Sequence, residues 1–206
     1  MSFDVDVALR RGERSFACRI APAAGLTVLF GPSGAGKTTV LNMVAGLVRP
    51  DRGHVRVRDR TLFDAAAGVD VAVARRQAGY VFQGPRLFPH LRVATNLRYG
   101  ARRAAREGAL IGYDEAVALL ELAPLLNRWP RTLSGGEARR VAIGRALLSG
   151  ARFLLLDEPM SSLDRDRREE VMRTIERLRD ELGLPMLMVT HDPAEVERLA
   201  ATVVAM

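Results

Sequence analysis

The sequence contains little of what would mark a secreted, disulfide-stabilised or membrane-spanning protein. Cys18 is the only cysteine among 206 residues, so no intrachain disulfide can form and a reducing compartment is expected. No apolar run approaches the roughly 18 residues that a transmembrane helix needs, and the first residues lack the basic-then-apolar order of a secretory signal. Aromatic residues make up only 5% of the chain. We therefore expect one cytoplasmic domain with a core of Leu, Val, Ile and Ala.

Lysine is also nearly absent, because Lys37 is the one lysine among 31 lysine and arginine residues. The arginines leave a formal net charge of +7, which could serve nucleic acid or an anionic membrane surface. They are scattered along the chain, however, and no long basic run with interleaved aromatic residues is present. The charge is therefore interpreted as a solvated surface, and no nucleic-acid partner is expected.

Hydrophobic patterning predicts strands that alternate with helices. The apolar residues at positions 3, 5, 7 and 9 alternate with polar ones, as in an edge or half-buried strand. Further strands are predicted at 15–20, 26–30, 54–58, 79–83, 153–157 and 185–190, and helices at 37–47, 114–126, 171–182 and 194–199. This order predicts an α/β fold with a mainly parallel sheet covered on both faces. Residues 87–149 are predicted to form an inserted helical subdomain.

The clearest motif is a glycine-rich loop between the apolar strand at 26–30 and the helix that begins at 37. Glycines let successive backbone N–H groups point at phosphate oxygens, and the helix start adds a partial positive charge. The Lys37 ammonium can reach the β- and γ-phosphates, and the Thr38 hydroxyl can ligate Mg²⁺. The motif predicts nucleoside triphosphate binding by Gly31, Pro32, Ser33, Gly34, Ala35, Gly36, Lys37, Thr38 and Thr39.

A second motif places two acidic residues after the apolar strand at 153–156. In that position Asp157 can hold Mg²⁺ directly or through water, and Glu158 can orient and deprotonate an attacking water. Two acidic residues after a strand more often form a surface pair without such a role. The phosphate loop upstream favours the catalytic interpretation.

A third motif, Leu-Ser-Gly-Gly-Glu at 133–137, lies between the first two. Ser134 and Glu137 have the spacing of a capping box at a helix start. Phosphate-loop enzymes in general do not carry this pentapeptide there, and at these residues the chain resembles the ATPase subunits of ABC transporters over nearly its whole length. The resemblance implies a RecA-like P-loop NTPase fold with an N-terminal antiparallel β subdomain. The ATP-binding core would span 1–86 and 150–206, and the helical signature subdomain 87–149.

The resemblance also implies roles for residues outside the three motifs. Gln83 matches the family's Q-loop glutamine, Asp164 matches its D-loop aspartate, and His191 matches its switch histidine. In this family two copies dimerise head to tail, and ATP lies between the phosphate loop of one copy and Ser134, Gly135 and Gly136 of the other. The expected catalytic residues are then Glu158, His191 and Gln83, and the expected Mg²⁺ ligands are Thr38, Gln83 and Asp157.

The segment 79–100 indicates which branch of the family the chain resembles. Its Leu-Phe-Pro-His-Leu run at 87–91 is similar to importer ATPases, and especially to those of molybdate importers. The resemblance implies ATP and Mg²⁺ as cofactors, with a second copy of the chain and integral membrane permease subunits as partners. An extracytoplasmic anion-binding protein would be an indirect partner. The protein would lie peripherally on the inner face of the cell membrane.

Three features depart from the family pattern. Molybdate importer ATPases usually carry a C-terminal regulatory domain, whereas this chain stops at 199–206, in an expected late core strand. A truncated form or a short paralogue is expected for that reason. The alternation of Phe16 with Cys18 and Ile20 favours a core position for Phe16 over adenine stacking. Gly84 and Pro85 follow the Q-loop glutamine where an acidic residue is common, which would stiffen that loop.

Two alternatives remain from the sequence. The chain could energise another ABC transporter, either an importer of a different solute or an exporter, although the run at 87–91 argues against export. It could instead be a soluble ABC ATPase that acts on nucleic acid. Such proteins carry a long coiled-coil insertion or two cassettes, and here the phosphate loop and Ser134 are too close in sequence for a coiled coil.

Overall fold

The computed structural model describes residues 2–101, 108 and 110–206, which form two five-stranded sheets with helices packed around them. The strands are β1 (Phe3–Arg11), β2 (Arg14–Ile20), β3 (Leu26–Phe30), β4 (Arg52–Val57), β5 (Arg60–Asp64), β6 (Val69–Asp70), β7 (Ala78–Val81), β8 (Phe153–Asp157), β9 (Met186–Thr190) and β10 (Thr202–Ala205). The described helices are α1 (Lys37–Ala45), α2 (Val93–Arg98), α3 (Tyr113–Leu119), α4 (Gly135–Leu147), α5 (Arg165–Leu182) and α6 (Pro193–Leu199).

One sheet is parallel throughout and has the strand order β10-β3-β9-β8-β7. Its strands β8 and β9 are buried along their whole length, as expected where helices cover both faces. Because all five strands run in the same direction, the residues that follow β3, β7, β8 and β9 meet at one edge of the sheet. The predicted mainly parallel α/β core is confirmed.

The other sheet is antiparallel, with the order β2-β1-β4-β5-β6. The alternating apolar residues of β1 are buried and Asp6 between them is exposed, so the half-buried character is confirmed. The edge position considered for this strand is wrong, because Val5 faces Ile20 of β2 on one side and Val55 of β4 on the other. Cys18 of β2 is buried, as predicted. Its burial raises the pKa of the thiol to about 11, which keeps it unreactive.

Helix α1 is buried against both sheets and ends two residues earlier than predicted. Gly46 follows it with a left-handed φ of 81°. A Cβ at this position would lie 2.5 Å from Arg76 Nε. The buried Arg76 guanidinium donates to the Met43 and Val44 carbonyls at 2.9 Å each. The Met43 carbonyl also accepts from the Gly46 N–H at 3.2 Å, so Arg76 adds to the cap that Gly46 forms at this helix end.

The predicted helix at 114–126 is interrupted in the structure. Helix α3 stops at Leu119, Glu121 has a left-handed φ of 53°, and a short 3-10 turn follows at Ala123–Leu125. Pro124 lies inside that turn and lacks the N–H that a continuing α-helix requires. Helices α2, α3 and α4 nevertheless fall within the predicted helical stretch 87–149. Residues 102–107 and 109 of that stretch lie outside the described residues, and the division into core and subdomain remains a prediction.

Strands β5 and β6 have no counterpart in the sequence prediction. Leu62 and Phe63 are both buried and adjacent, so β5 lacks the alternation by which a half-buried strand is identified, and β6 has only two residues. The late core strand expected near the chain end is present as β10, paired with β3. None of the helices in the described ranges combines the length and apolarity that a bilayer crossing requires.

Candidate functional site

The residues after β3 form a loop that closes around the side chain of Lys37. The Lys37 ammonium donates to the Gly31 carbonyl at 2.7 Å and to the Pro32 carbonyl at 2.8 Å. The residue is only 4% exposed, so the single lysine of the chain is held inside the loop. The loop therefore presents a fixed positive charge at the carboxyl edge of the parallel sheet, where the start of α1 adds its own partial charge.

Gly36 allows this loop to approach β2 closely. Its φ is 99°, and a Cβ there would lie 2.5 Å from Cδ1 of Phe16. Only glycine meets both conditions. The Phe16 ring is half-buried and packs against the core, as predicted, but it also lines the cavity beside the loop.

An open cavity of about 380 Å³ lies over the loop. Eight predicted residues line it, and they come from the phosphate loop, the Q-loop and the end of β8: Ser33, Gly34, Gly36, Lys37, Thr38, Thr39, Gln83 and Glu158. Arg14 lines the same cavity and was not predicted, since one exposed arginine at a strand start belongs to no motif. The loop residues Gly31, Pro32 and Ala35 do not line the cavity. Within the loop, the Ala35 N–H donates to the Pro32 carbonyl.

Asp157 ends β8 directly beside the start of α1. The Thr38 hydroxyl donates to its Oδ1 at 2.9 Å. Burial, together with the nearby charge of Glu158, raises the pKa of Asp157 despite the bond from Thr38. A buried carboxylate short of positive partners and a neighbouring hydroxyl form a hard oxygen donor set, which fits Mg²⁺. Gln83 contacts Glu158 instead of this pair, so its part in holding Mg²⁺ remains a prediction.

Glu158 lies where the three neighbouring segments of the edge converge. Its Oε2 accepts from Gln83 Nε2 at 3.2 Å, and its Oε1 lies 3.2 Å from His191 Nδ1. The residue has a left-handed φ of 44°, a conformation that is uncommon for a residue with a side chain and that clusters at functional sites. Both carboxylate oxygens are thereby held in place by residues from two other strands.

A buried polar network fixes the loop that carries His191. The Thr190 hydroxyl donates to Glu195 Oε2 at 2.6 Å and accepts from the backbone N–H of Asp192 at 3.0 Å. Asp192 in turn forms an ion pair with Arg168 of α5. Burial raises the pKa of the Glu195 carboxyl. This network was not predicted from the sequence, because its members combine only once β9 and α5 have packed.

The third motif forms the start of α4, as the capping-box prediction required. The Ser134 N–H donates to Glu137 Oε2 at 2.7 Å, and the Glu137 N–H donates to Ser134 Oγ at 3.2 Å. Within the described part of the chain, the N–H groups of Gly135 and Gly136 have no hydrogen-bond partner. Gly135 is partly exposed and Gly136 is buried, so these N–H groups are unused donors at the helix start.

Six predicted residues outside the phosphate loop do not line this cavity. Two of them, Asp157 and His191, contact residues that do line it, namely Thr38 and Glu158. Among the residues that line it, none comes from the 134–136 segment. Asp164 is likewise absent from the lining; it caps α5 by accepting from the Arg167 N–H at 3.0 Å and pairs with the Arg167 side chain. The segment and α5 are close to each other, because a Cβ on Gly136 would lie 3.3 Å from the Arg167 Cβ.

Comparison with known proteins gives consistent matches. The family model described as ABC transporter matches residues 21–161. Molybdenum import ATP-binding protein ModC of Mesorhizobium japonicum is 51% identical over 204 residues, which cover 99% of this chain and 55% of that protein. The ModC proteins of Rhodospirillum rubrum and Brucella abortus are 50% and 52% identical and cover 98% and 97% of this chain. The chain spans about half the length of these curated relatives, 54% and 55% in the latter two.

Solved structures agree on the fold. A dimeric, post-hydrolysis structure of the ATP-binding cassette MJ0796 bound to ADP and Pi matches with a TM-score of 0.75 at 27% identity. The match covers 100% of this chain and 93% of that one. The cbiO1 protein of Clostridium perfringens, part of the ABC transporter complex cbiONQ, matches with a TM-score of 0.80 at 23% identity, covering 100% and 85% of the two chains. The latter likeness concerns the fold alone.

Proposed function

The chain belongs to the ABC transporter family, and on that premise we propose that it binds ATP with Mg²⁺ and hydrolyses it as one half of a head-to-tail dimer. The observation that carries the proposal is the convergence of Lys37, the Thr38–Asp157 pair and Glu158 on one cavity edge. A glycine-rich loop, a buried ammonium and two carboxylates in this order suit a triphosphate and its cation.

Each residue in or beside the cavity would have a separate role in the reaction. Lys37 and the loop N–H groups would bind the phosphates, and Thr38 and Asp157 would hold Mg²⁺, which when bound neutralises charge on the β- and γ-phosphates. Glu158 would accept the proton of the attacking water. Gln83 and His191 each contact one Glu158 oxygen, so they would keep the carboxylate oriented toward that water.

The proposal of a dimer is supported by what the cavity lacks. Transfer of a phosphoryl group needs charge stabilisation on more than one side of the γ-phosphate. The free N–H groups of Gly135 and Gly136 supply such donors, but they belong to a segment outside the cavity of their own chain. In a head-to-tail pair, Ser134, Gly135 and Gly136 of one copy would complete the site of the other, with Asp164 near the contact. ADP and Pi are bound in the dimeric MJ0796 cassette, which supports this arrangement.

We further propose that the dimer energises import of molybdate or a related oxyanion. The support is that relatives about 50% identical to nearly all of this chain are named molybdenum import ATP-binding proteins. The partners would then be permease subunits, and through them an extracytoplasmic anion-binding protein. The chain would lie on the inner face of the membrane.

Dilution tests the shared site. ATP turnover per molecule of purified chain should rise with protein concentration and level off once the ATP-bound dimer forms, because each site needs two copies. Phosphate release would measure turnover, and light scattering would measure dimer formation, over the same concentrations. A rate per molecule that stays constant far below any measurable self-association would show that one copy suffices and would refute the dimer.

A test of which anion is transported requires the assembled transporter. In vesicles that contain the chain and its permease, a molybdate-loaded anion-binding protein should stimulate ATP turnover, and the same binding protein offered sulfate should stimulate it less. Equal stimulation by both anions would count against selectivity for molybdate, and no stimulation by either would count against oxyanion import. Either result would leave the shared ATP site unaffected.

A further inference from the structure

Two arginines of α4 donate hydrogen bonds to backbone carbonyls on either side of Gln83. Arg139 Nη1 donates to the Phe82 carbonyl at 2.6 Å, immediately before the glutamine. Arg145 Nη2 donates to the Pro85 carbonyl at 3.3 Å, two residues after it. The same helix begins at Ser134, so one rigid element holds both ends of the Q-loop segment 82–85.

Arg139 is placed at an energetic cost. It is 3% exposed, and no carboxylate among the described residues forms an ion pair with it. Its Nε is buried without a hydrogen-bond partner. Burial lowers the pKa of its guanidinium, and no acidic group offsets that effect. A buried cation without an acidic partner destabilises a fold relative to an apolar side chain of similar size. Packing alone therefore gives no reason for an arginine here.

The neighbouring Arg140 shows that contact with the Q-loop is not common to all arginines of this helix. Arg140 lies on the same helix and also has a buried Nε without a partner. Its guanidinium donates instead to the Leu120 and Glu121 carbonyls at 3.1 and 3.3 Å, at the end of α3. The two residues are thus alike in type and helix but bind different segments, and Arg140, whose side chain is 13% exposed, also pairs with Glu121 and Glu170.

The Q-loop is tied to the helical region at further points beyond the two arginine contacts. Asn96 of α2 is fully buried; its Oδ1 accepts from the Phe88 N–H at 2.9 Å and its Nδ2 donates to the Leu91 carbonyl at 3.0 Å. Arg145 Nη1 reaches the same Oδ1 at 3.5 Å. Segment 82–91 is therefore fastened along its length to α4 and α2, while Gln83 within it contacts Glu158.

We propose that Arg139 and Arg145 are positioning residues that couple the helix starting at Ser134 to Gln83, and through Gln83 to Glu158. The inference rests on the proposed function, because it assigns α4 the task of sensing the nucleotide of the other copy. A displacement of α4 on binding that nucleotide would move the Phe82 and Pro85 carbonyls with it. Gln83 would then bring the Glu158 carboxylate into its working orientation.

The test compares Arg139→Met with Arg140→Met. Loss of the Phe82 bond should lower kcat for ATP about tenfold and leave KM within about twofold, since a small misplacement of a catalytic group is costly while the binding loop is untouched. Arg140→Met should leave both constants within about twofold. Arg139→Lys keeps one donor and should recover kcat to within about threefold of the natural chain. Turnover would be measured well below the melting temperature of each variant.

Backbone hydrogen exchange gives a readout that does not depend on activity. In nucleotide-free protein, Arg139→Met should speed exchange of the amides in 82–91, and Arg140→Met should not. If Arg139→Met does not fold, Arg145→Met serves in its place, because its side chain is only half-buried and the longer bond predicts a smaller effect of about threefold on kcat. Unchanged kcat and unchanged exchange in a folded variant would overturn the coupling. Absence of turnover in the natural chain would instead refute the proposed function.

Discussion

The two halves of the proposed ATP site are built in opposite ways. The phosphate-loop half, made of the loop at 31–39 with Gln83, Asp157, Glu158 and His191, joins residues from four strands of one sheet edge. Its polar groups already contact one another, as Lys37 does with two carbonyls and Glu158 with two side chains. The signature half, residues 134–136, is a local helix start with two unused N–H groups. The first half has its polar groups assembled within one chain, whereas in the proposed dimer the second half would act on the nucleotide of the other copy.

The largest effect should come from removing the proposed base in the phosphate-loop half. Glu158→Gln keeps the size of the side chain and one acceptor oxygen for Gln83 but cannot accept the proton, so kcat should fall about a thousandfold. ATP binding should persist, and the dimer should accumulate with ATP because hydrolysis no longer dissolves it. Phosphate release and light scattering would be measured together. Glu181→Gln, at an exposed acid near the end of α5, is the control. Near-normal turnover in Glu158→Gln would exclude this residue as the base.

A smaller effect is expected from blocking the signature half. Ser134→Arg places a long side chain where the second copy would contact the nucleotide, so kcat should fall about a hundredfold. The cavity over the phosphate loop is untouched, so ATP binding by the single chain should stay within about twofold. Binding would be followed with a fluorescent ATP analogue. Surviving turnover would show that residues 134–136 are not part of the site.

Mixing two variants tests whether the two halves of one site come from different copies. Lys37→Ala removes the buried ammonium, so this variant should bind ATP at least about tenfold more weakly, a loss typical of a charged hydrogen bond. A mixed dimer of Lys37→Ala and Ser134→Arg contains one intact site, formed by Lys37 of the second variant and Ser134 of the first. Turnover should reappear on mixing two nearly inactive proteins. Mixing Lys37→Ala with unmutated chain in excess gives the matched upper limit for the turnover of a dimer with one intact site.

The same contrast explains what could be predicted from the sequence. The phosphate loop and the signature half are runs of consecutive residues, so their chemistry is visible without a fold. The acidic pair at 157–158 was predictable because an apolar strand precedes it. Arg14, by contrast, lines the cavity without any motif, and the Thr190–Glu195 bond depends on how α6 starts after β9.

Local patterning also failed where a distant side chain decides an element's end. Helix α1 ends at Ala45, where the left-handed Gly46 caps it and Arg76, 31 positions after Ala45, binds the Met43 and Val44 carbonyls. The carbonyl contacts of Arg139 and Arg145 are of the same kind. An arginine that binds backbone leaves no complementary residue in the sequence, so no pattern of charges could have indicated these contacts.

The smallest effect concerns the capping box that shapes the signature half. Burial raises the pKa of Glu137, but the Ser134 N–H and the charge of Arg128 lower it more, so the net pKa lies below the ordinary 4.5. A lowered pKa in the folded state means that the carboxylate stabilises the fold above pH 4.5, and that this contribution disappears as the pH falls through the lowered value. Glu137→Ala should lose about 1 kcal/mol of unfolding free energy at neutral pH.

Glu137→Gln distinguishes the charge from the hydrogen bond. Its amide oxygen can still accept from the Ser134 N–H, so at neutral pH it should lose only part of what the alanine variant loses. Urea unfolding at neutral and acidic pH should show the stability gap between the natural chain and Glu137→Gln closing as the pH falls. A gap that stays constant with pH would mean that the charge of Glu137 does not support the cap. Because the phosphate-loop half does not include this residue, ATP binding should stay constant across both variants, and any change in kcat would come from the shape of residues 134–136.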